Sequence, residues 1–268
     1  MGNTVISNPA IVDAATITAG SALANMPVTN LLRTQPKDRW RSDDLNNLYL
    51  VVDLGSAQAI NLIALLFHNA TQSATWRIRA ATSEANLTAA PGYDSTAVNM
   101  WDATWPSDED PVHSITWLGS SPETYQWWRI DVSDLSNPDN YFQVGRLYID
   151  NAWQLPANKN IEYGWELRFI DPATKSRSKA GQLYAESAQR WRQIIMSINF
   201  QSEDEMYDNV YELIRRRGIS KDIFVIRDPD ATKHLIRQSI YGQLAQMPPI
   251  ANTRTNIFRS RFIIEEMR

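Results

Sequence analysis

The sequence predicts a mainly β protein built from two successive units, with a boundary near residue 155 and a single long helix in the second. Three observations support this. Short apolar or alternating runs recur along the chain, and clusters of Gly, Pro, Asn and Asp separate them, as strands and their turns require. Residues 1–155 hold 8 Lys and Arg against 16 Asp and Glu, a net of −8, whereas residues 156–268 hold 18 against 14, a net of +4. Eight of the ten tryptophans fall before the same boundary, so the two parts differ in core chemistry as well as in charge.

Composition narrows the classes of function. With 43% hydrophobic and 21% charged residues the chain can bury a substantial core without staples. The absence of cysteine excludes disulfides, thiolate zinc sites and cysteine nucleophiles, and it fits folding in a reducing compartment. No run approaches the roughly 18 apolar residues of a membrane helix. The segment Met1-Gly2-Asn3-Thr4 lacks the basic flank and apolar stretch of a secretory signal. The expectation is therefore a protein that neither inserts into a membrane nor follows the standard secretion route.

In the first part, 49–52 and 62–67 are near-continuous apolar runs, the pattern of strands covered on both faces. A tight turn is expected between them at Asp53-Leu54-Gly55. Residues 75–80 alternate, with Trp76 and Ile78 on one face and Thr75, Arg77 and Arg79 on the other. Residues 127–132 alternate likewise through Trp128, Ile130 and Val132, and 145–150 supply a further short strand. Turn-rich stretches at 43–47, 90–92 and 133–140 separate them, and no long amphipathic helix intervenes.

The order Pro27-Val28-Thr29-Asn30-Leu31-Leu32, Trp40-Arg41-Ser42, Val52-Asp53-Leu54-Gly55, Trp128-Arg129-Ile130, residues 144–149 and Trp153 resembles the galactose-binding-like, or discoidin-type, jelly-roll family over about residues 20–155. That resemblance implies a module that binds sugars, lipids or other proteins, sometimes with a structural calcium ion. The loop 100–111 joins Trp101 and Trp105 to four carboxylates, Asp102, Asp108, Glu109 and Asp110. Indole faces stack on sugar rings and carboxylates accept hydroxyl hydrogen bonds, so Trp101, Trp105 and Asp102 are the candidate carbohydrate-binding residues. The competing reading is that the tryptophans plug the end of the sandwich and the acidic run is solvated. Calcium needs six to eight converging oxygens, and consecutive acidic residues lack the spacing for it, so no metal or other cofactor is expected.

In the second part, 163–170 alternates and stops at Asp171-Pro172, and 193–200 forms another strand behind Arg190-Trp191-Arg192. Between them, 174–181 is polar and basic and reads as a loop. A helix follows over about 203–217. Ser202 and Glu205 have capping-box spacing, Met206, Val210, Leu213 and Ile214 form one apolar stripe, and Gly218 is the stop. Glu203, Asp204 and Glu205 at its start and Arg215, Arg216 and Arg217 at its end suit the helix dipole. Strands at 222–227, 239–244 and 259–266 complete the chain.

This order of basic loop, strand through Trp191, capped helix ending in Arg-Gly, strand ending in Asp-Pro and two final strands resembles bacteriophage tail-tube and distal-tail proteins over about residues 161–268. The resemblance implies a tail-tube-like β-sandwich with one flanking helix that joins its neighbours into a ring, sixfold in expectation. Arg215, Arg216, Arg217, Lys175, Arg177 and Lys179 are then the candidate subunit-interface residues.

Catalytic signatures are missing. His68, His113 and His234 lack metal-ligand spacing, and neither a Gly-x-Ser-x-Gly elbow nor a phosphate loop occurs. No enzymatic activity is expected, although paired carboxylates leave a glycosidase formally open. The arginines at the helix end are not interleaved with base-stacking aromatics, so no specific nucleic-acid binding is expected. The leading expectation is a structural phage-tail component of the distal tail or baseplate, assembled in the host cytoplasm. It would form a ring with itself and present the jelly roll to other tail proteins or to a host-surface glycan. The alternative is a free-standing lectin-like adhesin.

Overall fold

The computed structural model describes residues 2–7, 10–101, 112–119, 121–156, 158–231 and 233–268. The chain is mainly β and divides into two compact units, one formed by Met1–Gln154 with Val225–Ser239 and the other by Leu155–Phe224 with Ile240–Arg268. Residues 225–239 thus cluster with the first unit although they lie far downstream in sequence.

The first unit begins with β1 (Val5–Ser7), β2 (Thr16–Ala19), β3 (Trp40–Arg41), β4 (Tyr49–Ile60), β5 (Leu62–Leu66) and β6 (Thr75–Ala81). It continues through β7 (Tyr93–Asn99), β8 (His113–Trp117), β9 (Glu123–Ser133), β10 (Gln143–Val144), β11 (Arg146–Asp150) and β12 (Trp153–Gln154). A five-stranded sheet, β2-β4-β9-β6-β7, faces a three-stranded sheet, β11-β5-β8. The inward positions of one sheet (Leu50, Val52, Trp76, Ile78, Trp128, Ile130) meet Ile63, Leu65, Leu147 and Ile149 of the other in one buried cluster. The expected alternation is present: Trp76 and Ile78 are buried while Arg77 is exposed.

One expected turn is not a turn between strands. At Asp53 the register of β4 with β9 shifts, passing from Asp53↔Trp127 to Gln58↔Tyr125, and the same strand then resumes. The Gly55 N–H donates to Asp53 Oδ1 at 2.8 Å and Gly55 adopts φ +75°, so Asp53-Leu54-Gly55 forms a bulge inside one long strand. The chain changes sheets at Asn61, which is 7% exposed. Its N–H donates to the Asp150 carbonyl (3.1 Å) and its carboxamide donates to the Ala152 carbonyl (3.0 Å) and accepts from the Ala152 N–H (2.7 Å). A buried corner needs its backbone groups satisfied, and this single side chain does that. At the amino terminus, the Gly2 N–H donates to Asp228 Oδ1 (2.8 Å) and the Thr4 hydroxyl to the Arg227 carbonyl (3.0 Å), both from the downstream segment of the same unit.

The second unit contains β13 (Glu166–Ile170), β14 (Thr174–Arg177), β15 (Leu183–Glu186), β16 (Trp191–Gln201), β19 (Ile250–Arg254) and β20 (Ile257–Glu266), with the first three residues of β17 (Asp222–Ile226) and all but the first of β18 (Ser239–Leu244). Within it β18, β20, β16 and β13 are neighbours in that order, with β19 on the other stretch of β20. The helix runs through 203–217 and carries a π-helical segment, Met206–Tyr211, between α-helical turns. Its capping box is formed from both sides, the Glu205 N–H donating to Ser202 Oγ (3.3 Å) and the Ser202 N–H to Glu205 Oε2 (2.7 Å). Met206, Val210 and Leu213 of the stripe are buried, Ile214 is half-buried, and Gly218 ends the helix with φ +55°.

The expectation of a loop at 174–181 is corrected. Thr174–Arg177 is β14 and pairs with β15 in the register Thr174↔Glu186 to Arg177↔Leu183. Because β13 pairs with β16 from Glu166↔Ile195 to Ile170↔Trp191, the two ladders form one long hairpin, offset by a single residue between them. The turn closes through the Ser178 N–H to the Gln182 carbonyl (2.9 Å), with Gly181 at φ +85°. Every residue of β14 and β15 is exposed. Polar composition suggested a loop because these strands have no core to face, yet their backbone groups satisfy one another across the ladder.

Candidate binding surface

Three points where the chain leaves the strands of the first unit lie at one end of the sandwich: 67–74 between β5 and β6, Met100 and Trp101 after β7, and 134–142 between β9 and β10. Their common location follows from the register, since Thr75 pairs with both Asn99 and Ser133. Buried polar side chains tie them together. Asp134, 3% exposed, accepts from the Thr71 N–H (2.9 Å), the Thr71 hydroxyl (2.5 Å) and the Asn137 carboxamide (2.8 Å). Asn137 also donates to the Asn69 carbonyl (3.0 Å). Asn69 in turn donates to Asp139 Oδ2 (2.8 Å) and the Tyr141 carbonyl (3.1 Å), and accepts from the Gln143 N–H (2.9 Å).

His68 holds the chain at Met100, where it leaves β7. Its Nδ1 accepts from the Ala70 N–H (3.2 Å), which places its proton on Nε2, 2.9 Å from Ser114 Oγ. The Ser114 hydroxyl donates onward to the Met100 carbonyl (2.6 Å). Burial pushes the His68 pKa down to about 3, so the imidazole is neutral and acts as a hydrogen-bonding strut.

On this frame a set of side chains reaches the surface. Trp101 is half-buried against the core cluster, and its indole N–H donates to the Ala70 carbonyl (2.8 Å). The Arg41 guanidinium lies 3.2 Å from the centroid of the Tyr141 ring. Arg41 itself is half-buried, and its Nε is buried without a hydrogen-bond partner among the described residues. Asp139 is exposed and Asn69, which bonds it and the Tyr141 carbonyl, is half-buried. A half-buried guanidinium on β3, an exposed carboxylate and two aromatic rings, beside connections braced by buried hydrogen bonds, suit a polyhydroxylated ring that offers hydroxyls at its edge and C–H groups on its face.

Of the sequence-derived carbohydrate-binding residues, Trp101 lies on this surface, whereas Asp102 and Trp105 fall outside the described residues. The sequence alone does not mark Arg41, Asn69, Asp139 or Tyr141 as binding residues. The available signal was the cluster Ser136-Asn137-Pro138-Asp139-Asn140-Tyr141, which reads only as a turn until its partners at 69 and 41 are known.

The candidate interface residues of the second unit are not equivalent. Arg215 and Arg216 are exposed and both hydrogen-bond Glu212 of their own helix, which draws the Glu212 pKa down to about 2. Arg217 is buried and bonds the Asp222 carbonyl (2.9 Å) and carboxylate. Its charge is paired with Asp222 within the unit, across a short path at the helix end that no local sequence pattern marks. Lys175 and Arg177 stand on the exposed hairpin and Lys179 at its turn.

No protein-family model matches the chain, and no curated protein matches it. Among solved structures, the chain is similar to the family 32 carbohydrate-binding module of Clostridium perfringens NanJ in complex with galactose, at 17% identity and a TM-score of 0.39, covering 55% of this chain and 98% of that one. It is similar to chitosan-binding module 1 of a chitosanase/glucanase from Paenibacillus sp. IK-5 at 15% identity and a TM-score of 0.38, covering 53% and 98%. A Streptococcus pneumoniae fucose-binding module gives 11% identity and a TM-score of 0.38, covering 52% and 92%. No residue role is carried over from any of them.

Proposed function

We propose that the protein is a carbohydrate-binding protein whose first unit grips a glycan at the loop end of the sandwich. One observation carries this reading: Trp101, Asn69, Asp139 and Tyr141 stand on connections held by hydrogen bonds at that end, and Arg41 of β3 stacks on Tyr141. Trp101 supplies an aromatic flank, Asp139 and Asn69 supply hydroxyl partners, and Arg41 supplies a donor held rigid by its stack on Tyr141. A glycan array probed with the intact chain, followed by calorimetry on the best ligand, tests it. Arg41→Ala and Trp101→Ala are each expected to weaken binding by about tenfold or more. Absence of any array signal, or variants that bind as the parent does, would remove the assignment.

A second reading is favoured by a separate observation, the hairpin β14–β15. An isolated two-stranded ribbon is marginal in water at best, and this one exposes Leu183 and Tyr184 beside Lys175, Arg177 and Lys179. Such an arm is suited to order against another copy, as in a ring-forming phage-tail component that displays the glycan-binding unit outward. Light scattering on the intact chain and on a variant with residues 172–188 replaced by a short Gly-Ser turn separates the two. An oligomer that the replacement dissolves supports assembly, and a monomer in both cases leaves the lectin-like reading alone.

A further inference from the structure

We infer that the second unit carries its own binding site for an acidic sugar ring, a hexuronic acid, in the cleft between Trp165 and Arg261. The cleft encloses about 210 Å³ on the face of the sheet opposite the buried Phe262 and Ile264. Alternation along β20 sends Ser260, Phe262 and Ile264 inward and leaves Arg259 and Arg261 exposed on the other face. Ser197 pairs with Arg261 across the ladder and stands on the same face. The segment 161–165 is pinned over this face by the bridge Ile161↔Ile198 and by the Glu162 N–H to the Ser197 carbonyl (2.9 Å). Gly164, at φ +91°, then turns Tyr163 and Trp165 to the rim, with Trp165 37% exposed.

Charge balance selects the ligand. Glu166 is held by the Arg168 guanidinium, and Glu162 accepts from the Asn199 carboxamide (2.6 Å) and sits 3.5 Å from Arg259. Among the described residues the Arg261 guanidinium has neither an ion-pair partner nor a hydrogen-bonded one. The cleft therefore has one unmatched guanidinium, which suits one carboxylate in the bidentate geometry such pairs prefer. A phosphate dianion would face Glu162 and Glu166 with only that single compensating charge. The volume is below the roughly 300–1,000 Å³ of drug-sized pockets, so it suits one ring and not an extended chain. Trp165 offers an aromatic wall for the ring's C–H face, and the Ser197 hydroxyl and Glu162 accept from its hydroxyls.

The test uses the intact protein with methyl glucuronide and methyl galacturonide as probes and methyl glucoside and methyl galactoside as neutral controls, read by the Trp165 indole N–H resonance. The uronides are expected to shift that resonance with millimolar affinity, weakening several-fold between low and high salt. Arg261→Ala is expected to lower affinity about tenfold or more with an unchanged melting temperature, since Arg261 is exposed and unpaired. Neutral sugars binding as tightly as uronides, acetate binding as tightly as either, or full affinity in Arg261→Ala would each overturn the inference. Arg41→Ala is expected to leave uronide binding intact, so failure here and failure of the first unit's glycan site are separate results.

Discussion

Ser42 and Phe142, 100 residues apart, exchange two hydrogen bonds of 2.9 Å, the Ser42 N–H donating to the Phe142 carbonyl and the Phe142 N–H to the Ser42 hydroxyl. The pair fastens β3 to β10 and places Trp40 edge-on to Phe142 with ring centroids 6.0 Å apart. It also sets Arg41 over Tyr141, so one serine links the core of the first unit to its candidate surface.

Ser42→Ala is expected to leave a buried Phe142 N–H without a partner and to lower stability by about 1–3 kcal/mol, read by urea denaturation. Glycan affinity should fall with it, because the Arg41–Tyr141 stack is no longer held. A loss of only a few tenths of a kcal/mol would contradict the role given to this pair.

His68 makes stability depend on pH. The folded protein keeps its imidazole neutral down to about pH 3, whereas the unfolded chain takes up a proton below about pH 6.5. The stabilisation is complete above that range and is lost as pH falls through it, by about 2 kcal/mol between pH 7 and pH 5. His68→Asn removes this titration, so its stability should change less than the parent's between those two pH values. Parallel curves would show that His68 is not the group responsible.

Arg216 and Arg217 are expected to behave in opposite ways. Arg217→Ala removes the guanidinium that pairs with the buried Asp222 carboxylate, at a cost of about 3–5 kcal/mol. Arg216→Ala removes an exposed partner of Glu212 and should change stability by less than about 1 kcal/mol. Thermal denaturation of the two variants checks the contrast, and similar losses would refute the burial argument.

Residues 225–239 are expected to matter for a domain they do not adjoin in sequence. A fragment of 1–155 lacks Asp228 and Arg227, the partners of Gly2 and Thr4. Amide hydrogen exchange at residues 2–7 should be faster in that fragment than in the intact chain. Equal protection would show that the amino-terminal strand is held without the downstream segment.

Elements whose causes are local were legible. The capping box at Ser202 and Glu205, the alternation that buries Trp76 and Ile78, and the stop at Gly218 each depend on residues a few positions apart. The bulge at Asp53 was read as a turn because the Asp-Gly signal reports the local kink and not whether the strand regains the same partner. The hairpin of β14 and β15 was missed for a related reason: periodicity detects strands through a buried face, and these strands have none.

By itself the sequence determined the β-rich class, the single capped helix and Trp101 as a candidate, because hydrophobic period, capping and aromatic content act over a few residues. The tertiary structure alone decided that Arg41, Asn69, Asp139 and Tyr141 share one surface, that Arg217 is buried against Asp222 while Arg261 is left unpaired, and that residues 225–239 belong with the amino terminus. Those relations depend on which distant backbone groups meet in space, and no local pattern encodes that meeting.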